Sequence, residues 1–134
     1  MKFHHIGIFV DSIETGIDEM SRIYEIEHIG KTIEDSLIGV NIVFLKDSSG
    51  INYELVAPFG DDSPVTGVLK RGHGFLNHLA YTTEQFDNQL RNLRNLGMIP
   101  LGPAKKAVAF NGRRVIFLLT KLHYIIEMIE DPVL

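Results

Sequence analysis

The stretch Phe3-His4-His5-Ile6-Gly7-Ile8-Phe9-Val10 opens a pattern that this chain writes twice. His5-Ile6-Gly7 falls on His78-Leu79-Ala80 at an offset of 73 positions (78 − 5). The same offset carries Ile13, Ile17, Met20 and Ile23 onto Phe86, Leu90, Leu93 and Leu96. It carries Gly39 onto Gly112, Ile42-Val43-Phe44-Leu45 onto Val115-Ile116-Phe117-Leu118, and Glu54-Leu55-Val56 onto Glu127-Met128-Ile129. Chance produces one apolar match readily, but not several in register without a gap. The chain is therefore expected to be two homologous modules, 1–57 and 74–134, joined by a linker over 58–73 within a single domain.

Each module repeats one order of elements. Residues 3–10 alternate as a strand does, with Ile6, Ile8 and Val10 on one face and Phe3, His5, Gly7 and Phe9 on the other. Apolar side chains at 13, 17, 20 and 24 have helical spacing, and Asp11 with Glu14 makes a capping box that starts a helix over 12–25. Strands follow near 26–34, 37–46 and 51–57, the last two joined by the turn Asp47-Ser48-Ser49-Gly50. The second module predicts a strand over 75–83, a helix over 84–96 stopped by Gly97, and strands near 98–103, 106–119 and 122–129. The linker Pro58-Phe59-Gly60-Asp61-Asp62-Ser63-Pro64 is rich in turn residues. Val65 to Leu69 forms a short helix with Pro64 at its first position. The expected fold class is α+β: two tandem βαβββ modules forming a cupped, incomplete eight-stranded barrel with the helices outside.

Strand alternation also places the polar groups. His5 lies on the face away from the helix, and Glu54 lies opposite Tyr53 and Leu55. His78 and Glu127 are their mates, and each glutamate follows its histidine by 49 positions (54 − 5 and 127 − 78). Gly7 and Ala80 are the next residues on the histidines' face, and their small side chains leave room beside the imidazoles. Bare carboxylates inside an apolar cup are costly, so they must protonate, pair or bind a metal. Two neutral imidazoles and two carboxylates carry −2, which one divalent cation cancels. The mixed N/O donor set of His5, Glu54, His78 and Glu127 suits Zn²⁺, Ni²⁺, Co²⁺, Mn²⁺ or Fe²⁺. An octahedral ion held by four ligands keeps positions for substrate oxygens. His4, His28, His73 and His123 lack the support of the repeat. Arg113 and Arg114 precede an apolar strand and are candidates for an anionic substrate group. Gly72 and Gly74 read as a turn, because the strand–loop–helix context of a phosphate loop is missing.

Composition narrows the function classes. The chain has 134 residues, no cysteine and six histidines, so disulfides, thiolate metal sites and a cysteine nucleophile are excluded. Its 13 basic and 17 acidic residues leave a net charge of −4, which argues against a nucleic-acid surface. No apolar run reaches the roughly 18 residues of a membrane span, and the start has neither a basic region nor a small-residue cleavage site. A cytoplasmic location is expected, and the small core that 134 residues allow makes a homodimer the expected assembly.

These residues resemble the vicinal oxygen chelate superfamily, which includes glyoxalase I, methylmalonyl-CoA epimerase, extradiol dioxygenases and bleomycin-resistance proteins. The segments Tyr53-Glu54-Leu55-Val56-Ala57-Pro58, Gly74-Phe75-Leu76-Asn77-His78-Leu79-Ala80-Tyr81 and Asn111-Gly112-Arg113-Arg114-Val115 are similar to the epimerase branch. The resemblance implies metal ligands at His5, Glu54, His78 and Glu127, and proton abstraction α to a carbonyl or thioester. Under it Glu127 is both ligand and base, Glu54 is the opposed group, and the substrate is an acyl thioester or a thiol adduct. Asn41, the mate of Arg114, stands where the epimerase pattern has a second catalytic glutamate. The loop before the last ligand strand, 119–123, is shorter than in epimerases. Glutamate at position 54 is usual in glyoxalase I, so a lactoylglutathione lyase is an alternative, and a non-catalytic small-ligand binding or resistance protein is another.

Overall fold

A computed structural model describes residues 1–60, 62–71 and 75–131. The expected turn at Gly72 and Gly74, together with His73, lies outside the described residues. The chain divides into two compact units, one of His5–Asn77 and one of Met1–His4 with His78 onward.

The first unit carries β1 (Lys2–Phe9) from His5 onward, α1 (Ile13–Ile23), β2 (Ile26–Ile29), β3 (Ile33–Asp35), β4 (Val40–Asp47), β5 (Asn52–Pro58) and α2 (Pro64–Lys70). β4 runs antiparallel to β2, β3 and β5, and β5 runs parallel to β1. The second unit carries β6 (Leu76–Thr83) from His78 onward, α3 (Phe86–Asn95), β7 (Ile99–Pro100), β8 (Lys105–Lys106), a 3-10 turn (Val108–Phe110), β9 (Arg114–Leu119) and β10 (Ile125–Glu130). β10 runs parallel to β6 and antiparallel to β9, and β9 pairs with both β7 and β8. The repeat is thus expressed in the pairing: a parallel pair of first and last strands beside an antiparallel partner, twice.

The fold class is as the repeat predicts, with ten strands among the described residues in place of eight. The expected strand over 26–34 is two short strands, β2 and β3, on one edge of β4. In the second unit the break between β7 and β8 contains Gly102-Pro103, and proline has no N–H to continue a ladder. The expected strand over 106–119 is interrupted by the 3-10 turn and by Asn111 (φ 55) and Gly112 (φ 81). Gly39 (φ 85) is the mate of Gly112 and likewise turns the chain into the next strand. A side chain there would be strained in the left-handed region, and at Gly39 its Cβ would lie 3.2 Å from the Phe59 carbonyl oxygen.

α1 begins one residue later than its expected cap. Ser12, not Asp11, accepts a hydrogen bond from Thr15 N. α2 has Pro64 in its first turn, as expected, and Ser63 as its cap. α1 buries Met20 against Val43, Leu45, Tyr53 and Leu55, with Ile6, Ile8, Val10, Ile13 and Ile17 packed around them. α3 does the same with Phe86 and Leu93 against Ile116, Leu118 and Met128. Each helix therefore covers one sheet face of its unit. Among the described residues no helix is long and apolar enough to cross a membrane.

The turn between β4 and β5 is organised by one carboxylate. Asp47 Oδ1 accepts from Ser49 N, Ser49 Oγ and Ile51 N, and its Oδ2 accepts from Tyr53 Oη. These bonds, led by that of Ser49, hold the Asp47 carboxyl below its ordinary value, whereas burial pushes the Tyr53 phenol up to about 12. A lowered acid stabilises the fold above its unfolded value and loses that share as pH falls; a raised phenol stabilises it below about 10 and loses that share as pH rises through about 12. Asp47→Ala is expected to flatten the acid limb of the stability–pH curve and to lower the Tyr53 phenol. Urea denaturation from pH 2 to 7 and tyrosinate absorbance between pH 9 and 13 check the two limbs.

Candidate metal centre

In the first unit, His5 comes from β1 and Glu54 from β5. Gly7 pairs directly with Glu54 in the parallel ladder, so the imidazole two residues earlier shares the carboxylate's face. His5 Nε2 lies 3.5 Å from Glu54 Oε1, and both side chains are buried. Phe44 on β4 is directly opposite Glu54, and its ring meets the His5 ring edge-on at 5.4 Å between centroids. Val40 and Ile42, which share the face of Phe44, are also apolar, so β4 brings no carboxylate to this face.

The second unit repeats the arrangement. Ala80 pairs with Glu127, which puts His78 on the carboxylate's face, and His78 Nε2 lies 3.4 Å from Glu127 Oε1. Both are buried. Phe117 is directly opposite Glu127, and its ring meets His78 edge-on at 5.2 Å. Each pair, His5 with Glu54 and His78 with Glu127, sets an imidazole and a carboxylate side by side as metal ligands need. Their chemistry fits a divalent cation. Each pair offers an imidazole nitrogen and a carboxylate oxygen, and burial in apolar surroundings makes bare carboxylates expensive.

The remaining candidates lie elsewhere. Asn41 pairs with Ala57 on the face that carries Val43, Leu45 and Leu55, so it sits on the α1 side of β4. Its mate Arg114 is on the α3 side of β9. Arg114 bonds Glu130 at 2.7 Å and Asp87 at 3.0 Å and lies 4.4 Å over the Phe86 ring. Arg113 Nε donates to the Phe110 carbonyl, and its Nη1 lies 3.5 Å from Asp131. Among the other histidines, His4 stacks edge-on against Phe110, His28 sits on β2, and His123 takes the left-handed conformation (φ 67) of the turn before β10. In the sequence Phe44 and Phe117 stand out only as matched positions of the repeat. Their signal was strand parity, which puts both on the glutamates' face.

The Arg114 guanidinium holds the Glu130 and Asp87 carboxyls below their ordinary values. Their contribution is present at neutral pH and is lost as pH falls through the carboxylate range toward the folded values. An Arg114→Met variant is expected to lose stability at pH 7 and little of it below pH 3. The network is partly exposed, so the loss is small. Guanidinium denaturation at the two pH values checks this.

The profile of the glyoxalase/bleomycin resistance protein/dioxygenase superfamily matches residues 4–117. The chain belongs to this superfamily. Among relatives in the glyoxalase superfamily, the ethylmalonyl-CoA/methylmalonyl-CoA epimerase of Cereibacter sphaeroides is 25% identical over 121 residues, which is 90% of this chain and 89% of that protein. Solved structures show the same fold. The methylmalonyl-CoA epimerase of Mycobacterium tuberculosis superposes with a TM-score of 0.78 at 21% identity, over 98% of this chain and 89% of that one. That of Streptomyces coelicolor, in complex with 2-nitronate-propionyl-CoA, superposes at 0.74 and 22% identity over 99% of both chains. The superfamily fold thus extends across the whole described chain.

Proposed function

We propose that this chain is a metal-dependent isomerase that removes the proton α to a thioester, with acyl-CoA substrates of the methylmalonyl type. The observation that carries the reading is the buried His–Glu pair that occurs at equivalent positions of both units. The epimerase relatives support the substrate class. His5, Glu54, His78 and Glu127 would jointly hold one divalent ion. Co, Ni, Zn, Mn and Fe all suit these donors. When bound, such an ion supplies a Lewis acid that stabilises negative charge on the substrate carbonyl oxygen.

The chain's own residues do the rest. His5 and His78 act as neutral donors. The Glu127 carboxylate would take the α-proton, and Glu54 is the opposed group that can return one. Apolar neighbours on both faces, Ile42, Val56, Val115 and Leu119 among them, exclude water and strengthen these electrostatic contacts. The position of Asn41 and Arg114 on the helix side supports the two glutamates as the groups that meet the reacting carbon. Arg113, immediately before the apolar strand β9, would bind an anionic group of the substrate. The proposal includes a single domain with modules 1–57 and 74–134 and linker 58–73, homodimeric assembly and a cytoplasmic location. Light scattering of the full chain tests the assembly. The activity is tested by solvent deuterium uptake into methylmalonyl-CoA by the metal-loaded chain. Uptake no faster than that of a Glu127→Gln variant overturns the proposal.

A second reading has its own support. The Glu54 carboxylate and the absence of a carboxylate on the β4 face suit a proton taken and returned on one side, as in isomerisation of a thiol hemithioacetal. Formation of a lactoyl thioester from methylglyoxal and glutathione, without deuterium uptake into methylmalonyl-CoA, is the result that favours it.

A further inference from the structure

We propose that Phe44 and Phe117 are positioning residues that set the ligand imidazoles in their metal-binding orientation before the ion arrives. The inference rests on the metal-ligand reading above. Three observations carry it. The two phenylalanines are 73 positions apart (117 − 44), the offset of the ligands themselves. Each stands directly opposite a ligand glutamate in its ladder, Phe44 across from Glu54 and Phe117 across from Glu127. Each also meets its histidine with nearly the same geometry, the ring planes at 78° and 82°.

A strand histidine turns about χ1 and χ2, and either rotation carries Nε2 away from the glutamate oxygen. An aromatic ring packed edge-on against the imidazole resists both rotations, because edge-to-face pairs have a preferred geometry that aliphatic neighbours lack. Gly7 or Ala80, the next residue on the histidine's face, pairs with the glutamate and brings no bulky side chain to that position. The small residue, the glutamate and the phenylalanine thus lie in one row across three strands, and the imidazole is held over that row. A ligand set ordered in this way gives up less conformational freedom on binding. The phenylalanine also keeps water from the carboxylate, which sharpens its preference for a cation.

The test is metal affinity, which does not depend on turnover. Co²⁺ and Zn²⁺ are titrated into the full-length chain against a chromophoric chelator. Phe44→Met and Phe117→Met keep apolar volume and remove the ring face. Each is expected to bind roughly 10-fold more weakly than the wild-type chain, and the double variant roughly 100-fold, by the usual effect of groups that orient metal ligands. The Co²⁺ visible spectrum is expected to shift in each single variant. Phe44→Tyr and Phe117→Tyr, which keep the ring, are expected to stay within about threefold of the wild type, and thermal unfolding of the metal-free variants confirms that they are folded. Where a Met variant does not fold, Leu replaces it. Met or Leu variants that bind within twofold of the wild type overturn the inference. A wild-type chain that takes up less than about 0.2 equivalents of Co²⁺ overturns the metal reading itself, a separate outcome.

Discussion

Glu127→Gln is expected to slow deuterium uptake into methylmalonyl-CoA by at least about 100-fold, the lower range for losing a positioned general base. The amide keeps the size of the carboxylate and one oxygen donor but cannot take a proton. Glu127 is buried beside His78, on a face whose neighbours on β9 are Val115, Phe117 and Leu119. None of those neighbours can substitute as a base. Metal content by mass spectrometry of the purified variant separates loss of the base from loss of the ion. Glu54→Gln divides the roles further. If the two glutamates act on opposite sides of the carbon, this variant keeps exchange from one stereoisomer and loses epimerisation, as read by chiral analysis of the product. A Glu127→Gln variant that exchanges within threefold of the wild type rejects Glu127 as the base.

Leu45→Ala and Leu118→Ala are expected to cost about 2–5 kcal/mol each, enough to remove a large share of a domain's stability. The two leucines are repeat mates on β4 and β9, and their exposures are 1% and 0%. Each packs under its unit's helix, Leu45 with Met20 and Leu118 with Phe86 and Leu93. Truncation removes apolar contacts and leaves a cavity that neighbours held in a strand ladder cannot readily fill. Urea unfolding of the metal-free protein measures the loss. A cost below about 1 kcal/mol at either position shows that the site collapses and that the sheet is less rigid than its pairing implies.

Much of this molecule is legible in the order of its residues. The offset of 73 positions defines two copies of one module, and alternation within each copy sorts His5, Gly7 and Glu54 from Ile6, Ile8 and Leu55. The ladder agrees with that sorting, because a strand's period of two leaves each residue only two directions. The apolar spacing of both helices agrees with the stripe each packs on its sheet, because a 3.6-residue period brings those positions to one side. Element ends were less legible. Ser12 caps α1 in place of Asp11, and Gly102-Pro103 and Asn111-Gly112 break strands that the apolar pattern alone would continue. These are contests between local turn chemistry and hydrophobic runs, and a pattern count does not decide them.

The sequence by itself therefore determined the module, its duplication and the face on which two histidines and two glutamates lie. Only the tertiary structure decided who their neighbours are. Strand parity is a local property, but which residue stands across a ladder depends on register, and register is set by turns and packing along the whole strand. Register brought Phe44 to Glu54 and Phe117 to Glu127. It also turned Arg114 toward Glu130, Asp87 and the helix, where a reading of sequence alone had offered it to a substrate.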